Sequence, residues 1–340
     1  MRFREIIKEE DPKGRATSST VIRPSTVKVA LTTMQKFVNN FNKFLKPHKI
    51  PPVKMGHPTG SSAYYKVDPE DKVYGDIDLQ IIVPEIPELA NKTPSQIQTY
   101  WNKLFGEFAQ TQNYVHPTSV PGRPIIPVGP DDWIKIDLMP HEVPMAAWGR
   151  YRVTPERGVK GLLQGNLFLT LGILLKLNRG ELGIQYKERE GKRLPYASTP
   201  KNFELKTISK NIETFVRDIF NHEYTAITGK DPKTAKIDPL LKQFPGMNIE
   251  EIKVSNIVNG IKGMARSFEL NDMFGKGELS EFTNYQDFID KFVEVYESKA
   301  IKAAEAPKRQ RDDTPELKAK GDSDRKSILQ GLDYVKKMFA

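Results

Sequence analysis

The sequence predicts an α+β protein: a small mixed or antiparallel sheet with flanking helices, followed by a mainly helical domain. Three observations carry this expectation. Through the first half, stretches of helical apolar spacing are interleaved with short stretches of strand-like alternation. Beyond Pro155 the strand signals fade and helical patterns recur. Across 340 residues, 38% are hydrophobic, and 17 Phe, 12 Tyr and 3 Trp supply the bulk for a sizeable core.

Residues 1–24 read as an irregular basic arm, because Gly14 and the Ser/Thr cluster at 17–20 break any periodicity. A helix is expected from Ser25, which follows Pro24 and has N-capping chemistry. Val27, Val29, Leu31, Met34, Phe37, Val38, Phe41 and Leu45 continue at mostly helical spacing as far as Pro47. Strand-like VKM, a small-residue turn TGSSA and strand-like DIDLQIIV follow between Val53 and Val83. A helix from Pro94 to about Gln112 has Ile97, Tyr100, Trp101, Leu104, Phe105 and Phe108 on its buried side, and two more strands fit 124–128 and 133–139. These elements form a first domain over 25–155. A helical domain over 156–305 rests on patterns near 159–178, 206–221, 249–267 and 284–304. The polar stretch 306–327 reads as a mobile linker, and 328–340 as an amphipathic segment able to dock back or bind a partner.

Composition narrows the function. There are no cysteines, which excludes disulfide-linked partners, thiol catalysis and Cys-ligated zinc. The longest apolar run, near 165–177, falls short of the ~20 residues a membrane span needs. The N-terminal stretch MRFREIIKEEDPKG lacks an apolar centre, so a soluble, cytoplasmic chain without a membrane partner is expected. The formal charge is +9. No acidic residue lies between Asp11 and Asp68, whereas ten basic ones do, and 150–193 holds ten Lys/Arg against four Glu. Such one-sided stretches attract polyanions, nucleic acid or nucleoside triphosphates.

The chemistry concentrates in GSSAYYKVDPEDKVYGDIDLQIIVP, from Gly60, and in WIKIDLMP, from Trp133. Strand alternation puts Asp76 and Asp78 on one face, with Ile77, Leu79 and Ile81 on the other. Paired carboxylates repel unless a cation sits between them, and a hard divalent ion suits oxygen donors. Asp137 alternates with Ile136 and Leu138, so a neighbouring strand would bring a third carboxylate to the same edge. Three carboxylates can hold two Mg²⁺ or Mn²⁺ ions for in-line phosphoryl or nucleotidyl transfer. Upstream, Gly60, Ser61 and Ser62 offer a side-chain-free approach and hydroxyl donors for phosphate oxygens.

Taken together, the Gly60-Ser61 pair, the Asp76-Ile77-Asp78 triplet and Asp137 within Lys135-Ile136-Asp137-Leu138 resemble the signature of the polymerase beta-like nucleotidyltransferase superfamily. The resemblance covers roughly 50–140. It implies a catalytic domain over 25–155 that moves a nucleoside monophosphate from an NTP, such as ATP, to an acceptor hydroxyl with release of pyrophosphate. In that reading Asp76, Asp78 and Asp137 are the catalytic metal ligands and Gly60, Ser61 and Ser62 cradle the phosphates. Similarity to archaeal CCA-adding enzymes and poly(A) polymerases makes Lys176, and more weakly Lys160, a candidate triphosphate contact. The flanking basic stretches favour an RNA 3′ end as acceptor. The interval between Ser61 and Asp76 also looks like that of cyclic-dinucleotide and oligoadenylate synthases, so a second-messenger synthase stays open, as does a non-catalytic nucleic-acid-binding protein. Of the five histidines, His57 and His141 lie near the motif, and none has metal-ligand spacing. Asp68, Glu70 and Asp71 read as a solvated loop.

Overall fold

A computed structural model describes residues 20–90, 92, 94–145, 160–180, 182–196, 198, 202–243, 253–305 and 315–340. The chain is α+β and divides into two units, one running to Met145 with a short piece from Arg309–Lys318, the other comprising Ala146–Lys308 and Ala319–Ala340. No helix among the described residues is long and apolar enough to cross a membrane.

In the first unit, α1 (Pro24–Leu45) starts one residue before the expected Ser25, with Pro24 at the first helical position and Arg23 as its extended N-cap. Proline suits that place because its fixed φ is already helical and its missing N–H is not needed. Ser25 instead meets the Glu70 carboxylate through both its hydroxyl and its backbone N–H. The expected arm is thus ordered at its end: Ile22 is buried and its carbonyl accepts from Tyr74 N at 2.8 Å. Asp68 also departs from the expected solvated loop, being buried and accepting the Tyr74 hydroxyl at 2.8 Å. Residues 1–19 lie outside the described residues.

Strand β1 (Lys54–Thr59) is fastened to α1 by Asn42, whose amide donates to the Val53 carbonyl at 3.0 Å and accepts its N–H at 2.8 Å. A 3₁₀ turn, Gly60–Tyr64, leads towards β2 (Ile77–Ile82). Helix α2 (Pro94–Gln110) follows, then β3 (Ile125–Pro127) and β4 (Trp133–His141). The sheet order is β1-β2-β4-β3, with β2 and β4 parallel and both outer pairs antiparallel. Parallel neighbours require a crossover, and α2 lies in it. One sheet face carries Ile77, Leu79, Ile81, Ile134, Ile136 and Leu138, all buried with the inner faces of α1 and α2. The Phe41 ring lies 4.6 Å from that of Phe105 and 5.3 Å from that of Phe108, centroid to centroid, joining the two helices.

The second unit holds α3 (Lys160–Leu174), β5 (Asn178–Gly180), β6 (Gly183–Arg189), β7 (Lys192–Arg193), β8 (Glu204–Ser209), α4 (Phe215–Thr228), α5 (Val254–Leu270), α6 (Tyr285–Glu305) and, from Ala319 on, α7 (Pro315–Phe339). A four-stranded antiparallel sheet, with β6 pairing β5, β7 and β8, corrects the expectation that strands fade here. Its last strand replaces the first turn of the helix expected over 206–221. The stretch expected to be a mobile linker is helical from Pro315, and α7 docks through Ile328, Leu332, Val335 and Phe339. That docking is close: a Cβ on Gly331 would lie 2.4 Å from Leu163 Cδ1. Residues 306–314 lie outside the described residues.

Candidate functional site

The face of the first sheet turned away from the two helices is polar. Along β4 every second residue is buried, so Lys135, Asp137, Met139 and His141 all lie on this face. In the parallel pairing, Asp78 on β2 stands beside Asp137 on β4, and Gln80 beside Met139. Register partners on adjacent strands share a face one strand spacing apart, ~4.8 Å. Both carboxylates are half-buried. Asp76, also half-buried, immediately precedes β2 and is two residues from Asp78.

The end of β1 completes the edge. Thr59 pairs with Asp78 in register, and its hydroxyl donates to the Asp78 carbonyl at 3.3 Å. Gly60 then turns with φ of +62°, a left-handed conformation that disfavours side chains. A Cβ there would sit 3.3 Å from Asp78 Oδ2, so the carboxylate lies directly against a side-chain-free backbone. Ser62 is fully buried and its hydroxyl donates to the Thr59 carbonyl at 3.1 Å, which braces the turn from inside. The side chains of Ser61 and Lys160 lie outside the described residues.

Two cations meet Asp137. Lys135 Nζ is 3.3 Å and Arg123 Nε 3.5 Å from its Oδ1. The lysine side chain is only 11% exposed, so the contact is well shielded from water. Lys135 could be found from sequence, since residue i−2 on an alternating strand shares the face of Asp137. Arg123 could not. It arrives because the preceding loop runs along β4, with Ile136 N donating to Pro124 O at 3.0 Å and Leu138 N to Gly122 O at 2.8 Å.

The donors available to a metal are Asp76, Asp78 and Asp137, an all-oxygen set that fits Mg²⁺ or Mn²⁺. Asp137 Oδ1 is shut off from solvent, and the cations that meet it are Lys135 and Arg123. Among the described residues, no three His, Asp or Glu side chains already converge at metal-holding distance. A metal bound at Asp137 would have to compete with Lys135 for Oδ1. Replacing it, Lys135→Met, is expected to tighten Mn²⁺ binding about tenfold, or ~1.4 kcal/mol, as read by calorimetric titration in the absence of nucleotide. Unchanged or weaker Mn²⁺ binding contradicts this competition.

The other sequence candidates lie apart. His57 is exposed on β1, and His141 ends β4 four residues beyond Asp137. At the same end of the strand, burial and the neighbouring Glu85 push the Glu142 carboxyl above its usual range. Lys176 belongs to the second unit. The sequence places it at the close of an apolar helix, but α3 stops at Leu174 and Lys176 stands in a left-handed turn with φ of +52°. Its ammonium is engaged with Glu278 Oε2 at 2.7 Å.

No family model matches the chain, and neither the curated proteins nor the solved structures hold a significant match to it.

Proposed function

We propose that the chain is a metal-dependent nucleotidyltransferase that moves a nucleoside monophosphate from an NTP to an acceptor hydroxyl, most simply the 3′ end of an RNA. The observation that carries this reading is the pairing of Asp78 with Asp137 on adjacent parallel strands, with Asp78 Oδ2 resting against Gly60. Asp76, Asp78 and Asp137 would hold the Mg²⁺ or Mn²⁺ ions, which when bound supply charge neutralisation for the triphosphate and activation of the acceptor oxygen. The protein's own part is positioning. The left-handed Gly60 leaves room for a phosphate to reach backbone N–H groups of the 3₁₀ turn, and Ser62 keeps that turn closed. In the reaction the acceptor oxygen bonds to the α-phosphorus as the bond to the bridging oxygen breaks, and pyrophosphate leaves.

The excess of basic residues between Asp11 and Asp68 supports a long polyanion as acceptor over a small molecule. A second reading draws on Lys135 and Arg123, which already neutralise Asp137. On that reading the acidic face is inert and the protein only binds nucleic acid.

The test is pyrophosphate release from each NTP, with Mg²⁺ or Mn²⁺, in the presence of total RNA and without acceptor. RNA-dependent release with label incorporated into RNA is the expected result. A small soluble product formed without acceptor identifies a cyclic or linear oligonucleotide synthase instead. RNA binding that is sensitive to salt, indifferent to Mg²⁺ and accompanied by no pyrophosphate overturns nucleotidyl transfer.

A further inference from the structure

In the second unit, α3 and β5 border a recess of about 230 Å³ lined by Gly165, Phe168, Leu169, Arg179 and Tyr196. Gly165, Phe168 and Leu169 fall at i, i+3 and i+4, so α3 contributes a single face to it. Gly165 makes that face concave, since a Cβ there would have no neighbour nearer than Arg179 Nη1, at 4.0 Å. Opposite, the Tyr196 ring is seated over another glycine of the helix: a Cβ on Gly172 would lie 3.3 Å from its Cδ2 and Cε2. Two glycines on α3 thus open the space and fix one wall.

Arg179 is the singular feature. Its guanidinium stands 5.6 Å from the Phe168 ring centroid, a cation–π contact that fixes its place. It makes no ion pair with any carboxylate among the described residues. The side chain remains accessible, yet protein crowds it enough that burial lowers its pKa, while the nearby Tyr196 phenol acts in the opposite sense. Arginine stays charged regardless. An exposed guanidinium held against a ring and without a carboxylate partner is placed to meet an anion, and it suits the oxygens of a phosphate in particular.

We propose that this recess binds the phosphate of a nucleotide, with Arg179 as its counter-charge and Phe168, Leu169 and Tyr196 as the walls against which the attached sugar or base rests. The volume is below the ~300 Å³ of a site that encloses a whole drug-sized ligand, so it takes one phosphate with its immediate substituent. The choice of nucleotide over other phosphate carriers rests on the nucleotidyl-transfer reading above. The recess itself does not depend on it.

Such a phosphate reaches the recess either on a free nucleotide or within a strand. Equilibrium binding of ATP and of a fluorescent oligouridylate, without metal or turnover, separates the two. Two variants of the full chain are compared with the parent. Arg179→Gln removes the charge, and Gly165→Met fills the recess while improving helix propensity, so that at least one folds. Both are expected to weaken one ligand about tenfold. If it is the oligouridylate, the salt dependence of Arg179→Gln also becomes shallower, by ~0.7 in the log–log slope, and the phosphate belongs to a strand. If it is ATP, the phosphate belongs to a free nucleotide. Unchanged affinity of the folded variants for both ligands overturns the proposal. Because binding is measured without chemistry, a protein that loses nucleotide affinity in these variants yet never releases pyrophosphate keeps the recess and loses nucleotidyl transfer.

Discussion

Asp78→Asn is expected to lower nucleotide transfer by about 10²–10³-fold or more, the range seen when one preorganised charge-stabilising group is removed from a site, with the fold intact. The substitution keeps shape and takes away one negative charge. Asp78 holds its place through its backbone, by pairing with Thr59 on one side and Asp137 on the other, so neither strand contact depends on the carboxylate. The side chain is half-buried against Gly60, where an amide of the same size is accommodated. Two measurements separate function from folding. Pyrophosphate release should collapse, and the rise in melting temperature expected for the parent with Mn²⁺ should be absent from the variant. A cation that binds only the folded state adds ~2.7 kcal/mol at a hundred times its Kd, so the loss is easily read. A variant that melts like the parent, loses the Mn²⁺ shift and still transfers nucleotide removes Asp78 from the mechanism. Asp137→Ala should leave NTP binding nearly unchanged while abolishing turnover, because on the proposed reading it would complete the metal that activates the acceptor.

Arg193→Met should be the most destabilising single change in the second unit. Arg193 Nη2 meets Glu223 Oε1 at 2.9 Å, with the two side chains 6% and 1% exposed. The same guanidinium donates to the Leu175 carbonyl at 2.8 Å, lies 4.4 Å from the Tyr186 ring centroid and comes within 3.3 Å of His222 Nδ1. It thereby joins the end of α3, the sheet and α4. Methionine can fill the volume but takes the arginine from the buried Glu223 carboxylate, leaving it only His222 Nδ1, 3.1 Å away, and breaking a buried pair in this way costs about 3–5 kcal/mol. For a unit of this size that corresponds to a fall of about 10 °C in melting temperature. The double replacement Arg193→Met with Glu223→Leu should recover most of the loss, since an apolar pair of similar volume is often as stable as a buried ion pair. A double variant no more stable than Arg193→Met alone would show that the arginine acts through Leu175 and Tyr186 rather than through charge.

How far the sequence reveals such features depends on whether burial leaves a periodic trace. In β2 and β4 it does: isoleucine and leucine alternate with polar residues because one sheet face is dry, and the aspartates are read off the other. The second sheet leaves a poor trace. Strand β6, GIQYKER, buries Gln185 along with Ile184, and β8, ELKTIS, is exposed over most of its length, so neither shows apolar alternation. A charged, exposed edge strand avoids pairing with other chains, and the same property hides it from a hydropathy reading. The stretch from Pro315 hides its helix in another way. Its first turns are polar and carry the weak helix formers Gly321, Asp322, Ser323 and Asp324 among better ones, and the apolar anchors come only from Ile328 onwards. At the site, the sequence identifies the carboxylates but not what sits against them. That Ser62 is buried and that Arg123 reaches Asp137 are products of backbone pairing between distant segments.

The parallel pairing of β2 with β4 has a consequence for how the site comes into being. Two strands running the same way cannot close as a hairpin. The carboxylates meet only after the chain has travelled out, laid down α2 and returned. No fragment ending before β4, and no partly zipped intermediate, presents the acidic edge. Asp78 and Asp137 therefore come together only once the first unit has closed over its hydrophobic layer, and any divalent-ion affinity of the proposed site would arise no earlier.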